Sequence, residues 1–360
     1  MRSLFNQLTL FVLFCLSFVA PSQGEFGYAI NLFRQSTQEL CDTGGESGGE
    51  KDVRALEPGK PHRHEIGGGR QHNYRVKLAA GQFLKAIIEQ DGIDVVAHLS
   101  GPDGKPIMEF DSDSRLRGQE IVSQVAEAEG DYKLVVEPKL KQSPAGSYEI
   151  RIEELRVATE NDRALQEARK LYKKATGLNS AGKYDEALPS FERALEIRER
   201  VLGPDHCDVA SVINSMGQLH FYKGEYSKAE QLFLRGLAVR EKALGPEHPL
   251  FATSLNNYAV LCFVRGDYAK AEPLHRRALA IREKALGPAH PDVAASLHNL
   301  ALLYSRRGEY SKAEQLFLRG LAIGEKALGP EHPDVASSLN SLANLHYLRG
   351  DYAKAEPLHR

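Results

Sequence analysis

Tryptophan is absent from this 360-residue sequence, and that absence decides nothing. Other scarcities exclude whole classes. Cysteine occurs four times, as Cys15, Cys41, Cys207 and Cys262, with no regular spacing. Neither a disulfide framework nor a zinc site is written in that pattern. Charge of one sign is lacking: 46 Lys and Arg oppose 48 Asp and Glu, for a formal net charge of −2. The charges are interspersed, so there is no basic stripe of the kind nucleic acid requires. There is no G-x-S-x-G, no H-E-x-x-H and no phosphate loop, and no Cys/His pair falls in a strand context. The sequence therefore assigns no catalytic residue and no cofactor.

Long apolar runs are also missing, apart from Leu8 to Ala20 behind Arg2. That run is shorter than the roughly 20 residues of a membrane span. A short basic start, an apolar middle and small residues at Ser22 and Gly24 read as a secretory signal peptide over 1–24, with Glu25 as the mature start. An uncleaved anchor is the alternative. Lipidation at Cys15 is disfavoured by bulky Phe14. The expected location is secreted or periplasmic, with no membrane contact beyond the signal peptide. Residues 25–54, which carry CDTGGESGGEKD near their end, read as a flexible linker.

From 55 to 155 apolar residues recur with a period near two. Strand-like runs lie at Tyr74–Leu78, Phe83–Glu89, Val95–Leu99, Glu120–Val125, Tyr132–Val136 and Tyr148–Ile152. Gly- and Asp-rich turn signals separate them, which predicts a small antiparallel β-sandwich. The stretches AAGQFLKAIIEQDGIDVVAHLSGPDGKPI, EGDYKLVVEP and AGSYEIRI resemble the pre-peptidase C-terminal-like domains. That resemblance implies a non-catalytic attachment to a secreted protein. A rival reading makes the domain a carbohydrate or calcium binder through Asp91, Asp94, Asp103, Asp111 and Asp113. Asp is common in turns anyway.

From 160 to 360 the period changes. Thr159 to Asp162 resembles a capping box that opens a helix. Tyr184, Tyr226, Tyr268, Tyr310 and Tyr352 then recur every 42 residues, each with Gly two residues before it and Ala three after. A repeat of this length signals a solenoid of helical hairpins, here about four and a half units. In the third unit the first helix spans about Phe251 to Val264, and Leu255, Tyr258, Ala259 and Cys262 fall on its apolar face. Leu297, Leu300, Ala301 and Tyr304 are their counterparts in the next. The second helix ends at Leu-Gly-Pro, where Gly caps it and Pro stops it.

EKALGPEHPDVASSLNSLANLHYLRGDYAKAE resembles the tetratricopeptide repeat in the longer form found in kinesin light chains. The resemblance implies a superhelical α-solenoid, non-catalytic, that binds a protein or peptide along one face of each first helix. That face holds Asn214, Gln218, Phe221 and Tyr222, then Asn256, Val260, Phe263 and Val264. The next rows are His298, Leu302, Ser305 and Arg306, and Asn340, Asn344, Tyr347 and Leu348. Asn257 and Asn299 lie where related repeats grip a peptide backbone; Ser215 and Ser341 depart from that.

His206, His248, His290 and His332 also recur in register. Successive copies stand at least ~10 Å apart, whereas ligands sit about 2 Å from one ion. A loop role is expected, and no metal site. Finally, Arg265–Arg276 is identical to Arg349–Arg360, and Tyr226–His248 matches Tyr310–His332 except at Val239/Ile323 and Arg240/Gly324. A copied block of 84 residues that stops inside a helix suggests a truncated array. A sandwich ahead of such repeats also resembles the front part of bacterial proteins with a caspase-like CHAT peptidase domain, which would lie beyond residue 360. Scaffold and peptidase front half are the two leading expectations.

Overall fold

The computed structural model describes residues 53–111, 116–140, 143 and 145–358. The signal peptide, nearly all of the linker stretch, Cys15, Cys41 and Asp113 lie outside the described residues.

Nine strands come first among the described residues: β1 (Val53–Ala55), β2 (His62–Ile66), β3 (His72–Leu78), β4 (Gln82–Asp91), β5 (Val95–Ser100), β6 (Pro106–Phe110), β7 (Arg117–Val125), β8 (Gly130–Pro138) and β9 (Gly146–Val157). They form two sheets, ordered β1-β3-β8-β5-β6 and β2-β9-β4-β7. Alternation along each strand sends one set of side chains inward. Tyr74, Val76, Leu78 and Leu134 from one sheet meet Leu84, Ile88, Val122 and Ile150 from the other in a single core. All pairings are antiparallel except β1 with β3, which is parallel. That short edge strand begins at Val53, just inside the stretch read as linker, because Leu56 behind it is drawn into the core.

Ten helices come next among the described residues: α1 (Glu160–Ser180), α2 (Tyr184–Leu202), α3 (Cys207–Tyr222), α4 (Tyr226–Leu244), α5 (Pro249–Val264), α6 (Tyr268–Leu286), α7 (Pro291–Arg306), α8 (Tyr310–Leu328), α9 (Pro333–Arg349) and α10 (Tyr352–Leu358). They pair as five hairpins. None of the described helices is long and apolar enough to cross a membrane. The positions expected inside are inside: Leu255, Tyr258, Ala259, Cys262, Leu297, Leu300, Ala301 and Tyr304 are all buried. The second helices α2, α4, α6 and α8 stop at Gly203, Gly245, Gly287 and Gly329, where φ is 84 to 94° and ψ 155 to 166°. Only glycine adopts that backbone readily. Gly236 serves packing instead: a Cβ there would lie 2.7 Å from the Asn214 amide.

The sandwich is joined tightly to the first hairpin. Two residues separate β9 from α1, and both bonds of the capping box form between Thr159 and Asp162. Arg156 Nη1 reaches Asp162 Oδ2 at 2.6 Å, which helps to hold that carboxyl down at about 2 despite its partial burial. On the edge of β7, Gln166 Oε1 accepts from Val125 N at 2.6 Å, and Gln166 Nε2 donates to Val125 O at 3.2 Å. A buried side-chain amide thus extends the sheet edge onto α1. Replacing Gln166 by Ala is expected to lower stability by about 1–3 kcal/mol, since it strands the buried Val125 amide. Chemical denaturation of the full chain checks this; an unchanged midpoint would contradict it.

Candidate peptide-binding groove

The first helices of the hairpins (α1, α3, α5, α7, α9) stack side by side, and their shared face is the expected groove. Every one after α1 starts with histidine as its N-cap. The Nδ1 atoms of His206, His248, His290 and His332 accept from the backbone N–H two residues on, at 3.1 to 3.2 Å. The ring nitrogen stands where a Ser or Asp oxygen usually caps. With Nδ1 accepting, the proton sits on Nε2, and the recurrence of these histidines is explained by helix initiation. His206, Cys207 and Asp208 place one donor atom each within 4.8 Å, yet the His206 donor is the one already used by the cap.

Between neighbouring first helices runs a ladder of polar side chains offset by 43 residues. Tyr172 bonds Ser215 at 3.0 Å, Asn299 Nδ2 donates to Asn256 Oδ1 at 2.9 Å, and Ser341 Oγ lies 3.4 Å from His298 Nε2. Asn214 donates from Nδ2 to Ala210 O at 2.9 Å and to Ser254 Oγ at 3.0 Å. His275 Nδ1 lies 3.1 Å from Asn256 Oδ1 as well. His275 stands where Phe191, Phe233 and Phe317 stand in other hairpins, and His298 where α3, α5 and α9 carry Asn and α1 carries Tyr172.

The expected groove residues therefore divide. Asn214, Gln218, Phe221, Asn257, Val260, His298 and Asn299 are buried. Asn256, Phe263, Leu302, Asn340 and Asn344 are half-buried, while Arg306 and Tyr347 are exposed. Phe221 packs on Tyr226, Phe263 on Tyr268 and Tyr347 on Tyr352, with centroids 5.3 to 5.7 Å apart. Ser305 breaks that series of aromatic pairs. The Asn pair expected to grip a ligand backbone is thus inside the wall, with Asn299 bonded to a neighbouring repeat. Beside the half-buried and exposed groove residues, solvent also reaches Tyr222, Val264 and Leu348. Partial burial lowers the Arg306 pKa from its usual value.

Three of the aspartates read as calcium ligands are paired with cations. Asp91 pairs with Arg117 at 2.7 Å, Asp103 with Lys105 at 3.1 Å and Asp111 with Lys139 at 2.8 Å.

Buried arginines were invisible as structural residues in the sequence. Arg198, Arg240 and Arg282 are 5 to 6% exposed. Arg282 on α6 donates to Asp292 O at 3.2 Å and Ser296 Oγ at 2.8 Å on α7, and to Thr253 Oγ1 at 3.1 Å on α5. Arg240 repeats this with Leu250 O at 2.7 Å, Ser254 Oγ at 3.0 Å and Ser211 Oγ at 3.4 Å. Burial lowers the Arg240 pKa to about 10, so it stays charged at neutral pH. The signal was the run IRER, VREK, IREK, with IGEK as its exception at Gly324.

A family description, "Tetratricopeptide repeat", matches residues 166–242, 250–326 and 313–360. No curated protein matches the chain. Solved structures that are similar include nearly identical TPR-like repeats of a Podosopora anserina kinesin light chain, 27% identical over 53% of this chain and 90% of that one, TM-score 0.45. BtubC (BKLC) from P. vanneervenii is 21% identical over 56% of this chain and 85% of its own, TM-score 0.48. PilF of Pseudomonas aeruginosa is 19% identical over 56% and 75%, TM-score 0.41.

Burial lowers the pKa of His275 to about 3 and of His298 to about 4. Both rings stay neutral in the fold while the unfolded chain protonates near 6.5. Stability is full above that value and falls as the pH drops below it, by about 2 kcal/mol per ring at pH 5. His275→Phe, which restores the residue of the sister repeats, is expected to flatten the acid limb. Melting curves between pH 7.5 and 4.5 test it; equal acid sensitivity of the variant would refute the assignment.

Proposed function

The chain belongs to the tetratricopeptide repeat family, and we propose that it is a non-catalytic scaffold whose first-helix face binds a polypeptide ligand. Repeats of this family are protein-binding scaffolds as a rule, which makes a protein partner the general expectation. The observation that carries the finer reading is the division of the face. Its buried amides are tied into the wall, while aliphatic, aromatic and amide side chains and one arginine stay open to solvent. Such a mixture suits a segment that offers both main-chain polar groups and apolar side chains.

Two further parts of the proposal rest on sequence. The apolar start at 8–20 supports export from the cytoplasm, and the strand-and-turn pattern of 55–155 supports a pre-peptidase C-terminal-like identity for the sandwich. The lack of any catalytic motif supports action by binding, whether the chain works alone or as the recognition half of a peptidase.

Selection of a random peptide library on the full chain, followed by titration, tests the reading. Leu302→Asp and Arg306→Ala are expected to weaken an enriched peptide by at least fivefold with the melting temperature kept. Asn299→Ala is expected to lower the melting temperature instead. No enrichment, or binding indifferent to Leu302 and Arg306, would sink the proposal.

A further inference from the structure

Three histidines meet at the open end of the sandwich, and we propose that this mouth, between β2 and β3, binds one divalent transition-metal ion through His62, His64 and His72. On β2, Arg63 and Glu65 face solvent while His62, His64 and Ile66 point inward, and on β3 His72 starts the inward row of Tyr74, Val76 and Leu78. Two imidazoles two residues apart on one strand share a face. The third arrives from the opposite sheet. The His64 ring lies 5.0 Å from that of His72 and 6.2 Å from that of His62.

The contacts of these rings are those of imidazoles held by an outer shell. His62 Nε2 is 3.1 Å from Ala55 O. A carbonyl only accepts, so Nε2 carries the proton and Nδ1 the lone pair that an ion needs. His72 Nδ1 is 2.7 Å from Tyr148 OH, which is 2.7 Å from Tyr74 OH, and both tyrosines are fully buried. A buried hydroxyl pair thus fixes one side of the His72 ring. All three imidazoles are only half-buried, which leaves the ion a way in.

His64 Nε2 lies 3.3 Å from Arg54 Nη1. A guanidinium only donates, so Arg54 occupies that lone pair and the ion must displace it. Arg54 sits on the three-residue edge strand β1, the least anchored element of the sheet. As the rings lie, their donor atoms do not surround one point, so the proposed binding requires the rings to turn inward about their side-chain torsions. Three imidazole donors with room for water suit zinc, copper or nickel rather than calcium.

Calorimetric titration of Zn²⁺ into the full chain at pH 7.5 tests the site, with imidazole NMR signals followed in parallel. Expected is one ion per chain, with the signals of His62, His64 and His72 shifting in the wild-type protein. His64→Gln and His72→Gln should weaken binding at least tenfold, with far-UV circular dichroism unchanged. Cys207→Ser should bind like wild type. No binding by the wild-type chain, shifts confined to other histidines, or affinity lost only in Cys207→Ser would overturn the proposal.

Discussion

One buried guanidinium at each of the first three junctions holds the array in register. Arg282 bonds a carbonyl and a hydroxyl on the helix after it and a hydroxyl on the helix before it. Three helices from two neighbouring hairpins thereby share one side chain. A buried charge is costly unless its hydrogen bonds are met; here carbonyl and hydroxyl oxygens meet those of Nη1 and Nη2, while Nε of Arg240 and of Arg282 is buried without an acceptor. The dependence shows in the exception. Arg240 uses Ser211 and Arg282 uses Thr253, each 29 residues earlier; where Gly324 replaces arginine, the residue 29 earlier is Ala295. Arg198 has Arg169 at that place and donates to Asp208 O at 2.8 Å, so the hydroxyl acceptor accompanies Arg240 and Arg282 alone. Ion pairs between exposed second helices, such as Arg319 with Glu283 at 2.6 Å, repeat just as regularly but contribute little each.

The same demand for satisfied polar groups shapes the candidate groove. With the guanidiniums fixing helix spacing, polar side chains on neighbouring first helices come within bonding distance and form the 43-residue ladder. Asn214, Asn256 and Asn299, which look available in a helical projection, are already engaged. Under the proposed binding mode, recognition falls to the outer row, where side chains vary from repeat to repeat: Tyr222, Val264, Arg306 and Leu348 occupy one equivalent position. A uniform wall carrying a variable lining is how a repeated scaffold acquires specificity.

Much of this was legible in the sequence, because periodicity reports burial. The 42-residue step, the Leu-Gly-Pro stops, the Thr159 cap and six of the nine strands come from it. What was not legible depends on partners far apart in sequence. β2 reads His-Arg-His-Glu-Ile, polar throughout until its last residue, so its inward histidines looked like surface. β6 is five residues with Pro at its start, and β1 is a three-residue parallel edge. Asn257 and Asn299 were expected in the groove because their type suits a ligand backbone; their burial is set by the adjacent helix, which a single helix face cannot reveal. The N-cap role of the loop histidines was hidden because histidine is not a usual cap.

Amide hydrogen exchange on Arg282→Ala tests the guanidinium junction most directly. If each clamp holds its own junction, α6 and α7 should exchange at least tenfold faster while α3 and α4 keep wild-type protection, as nearest-neighbour coupling in a repeat array requires. Uniform loss of protection along the array, or none at α6 and α7, would contradict the claim.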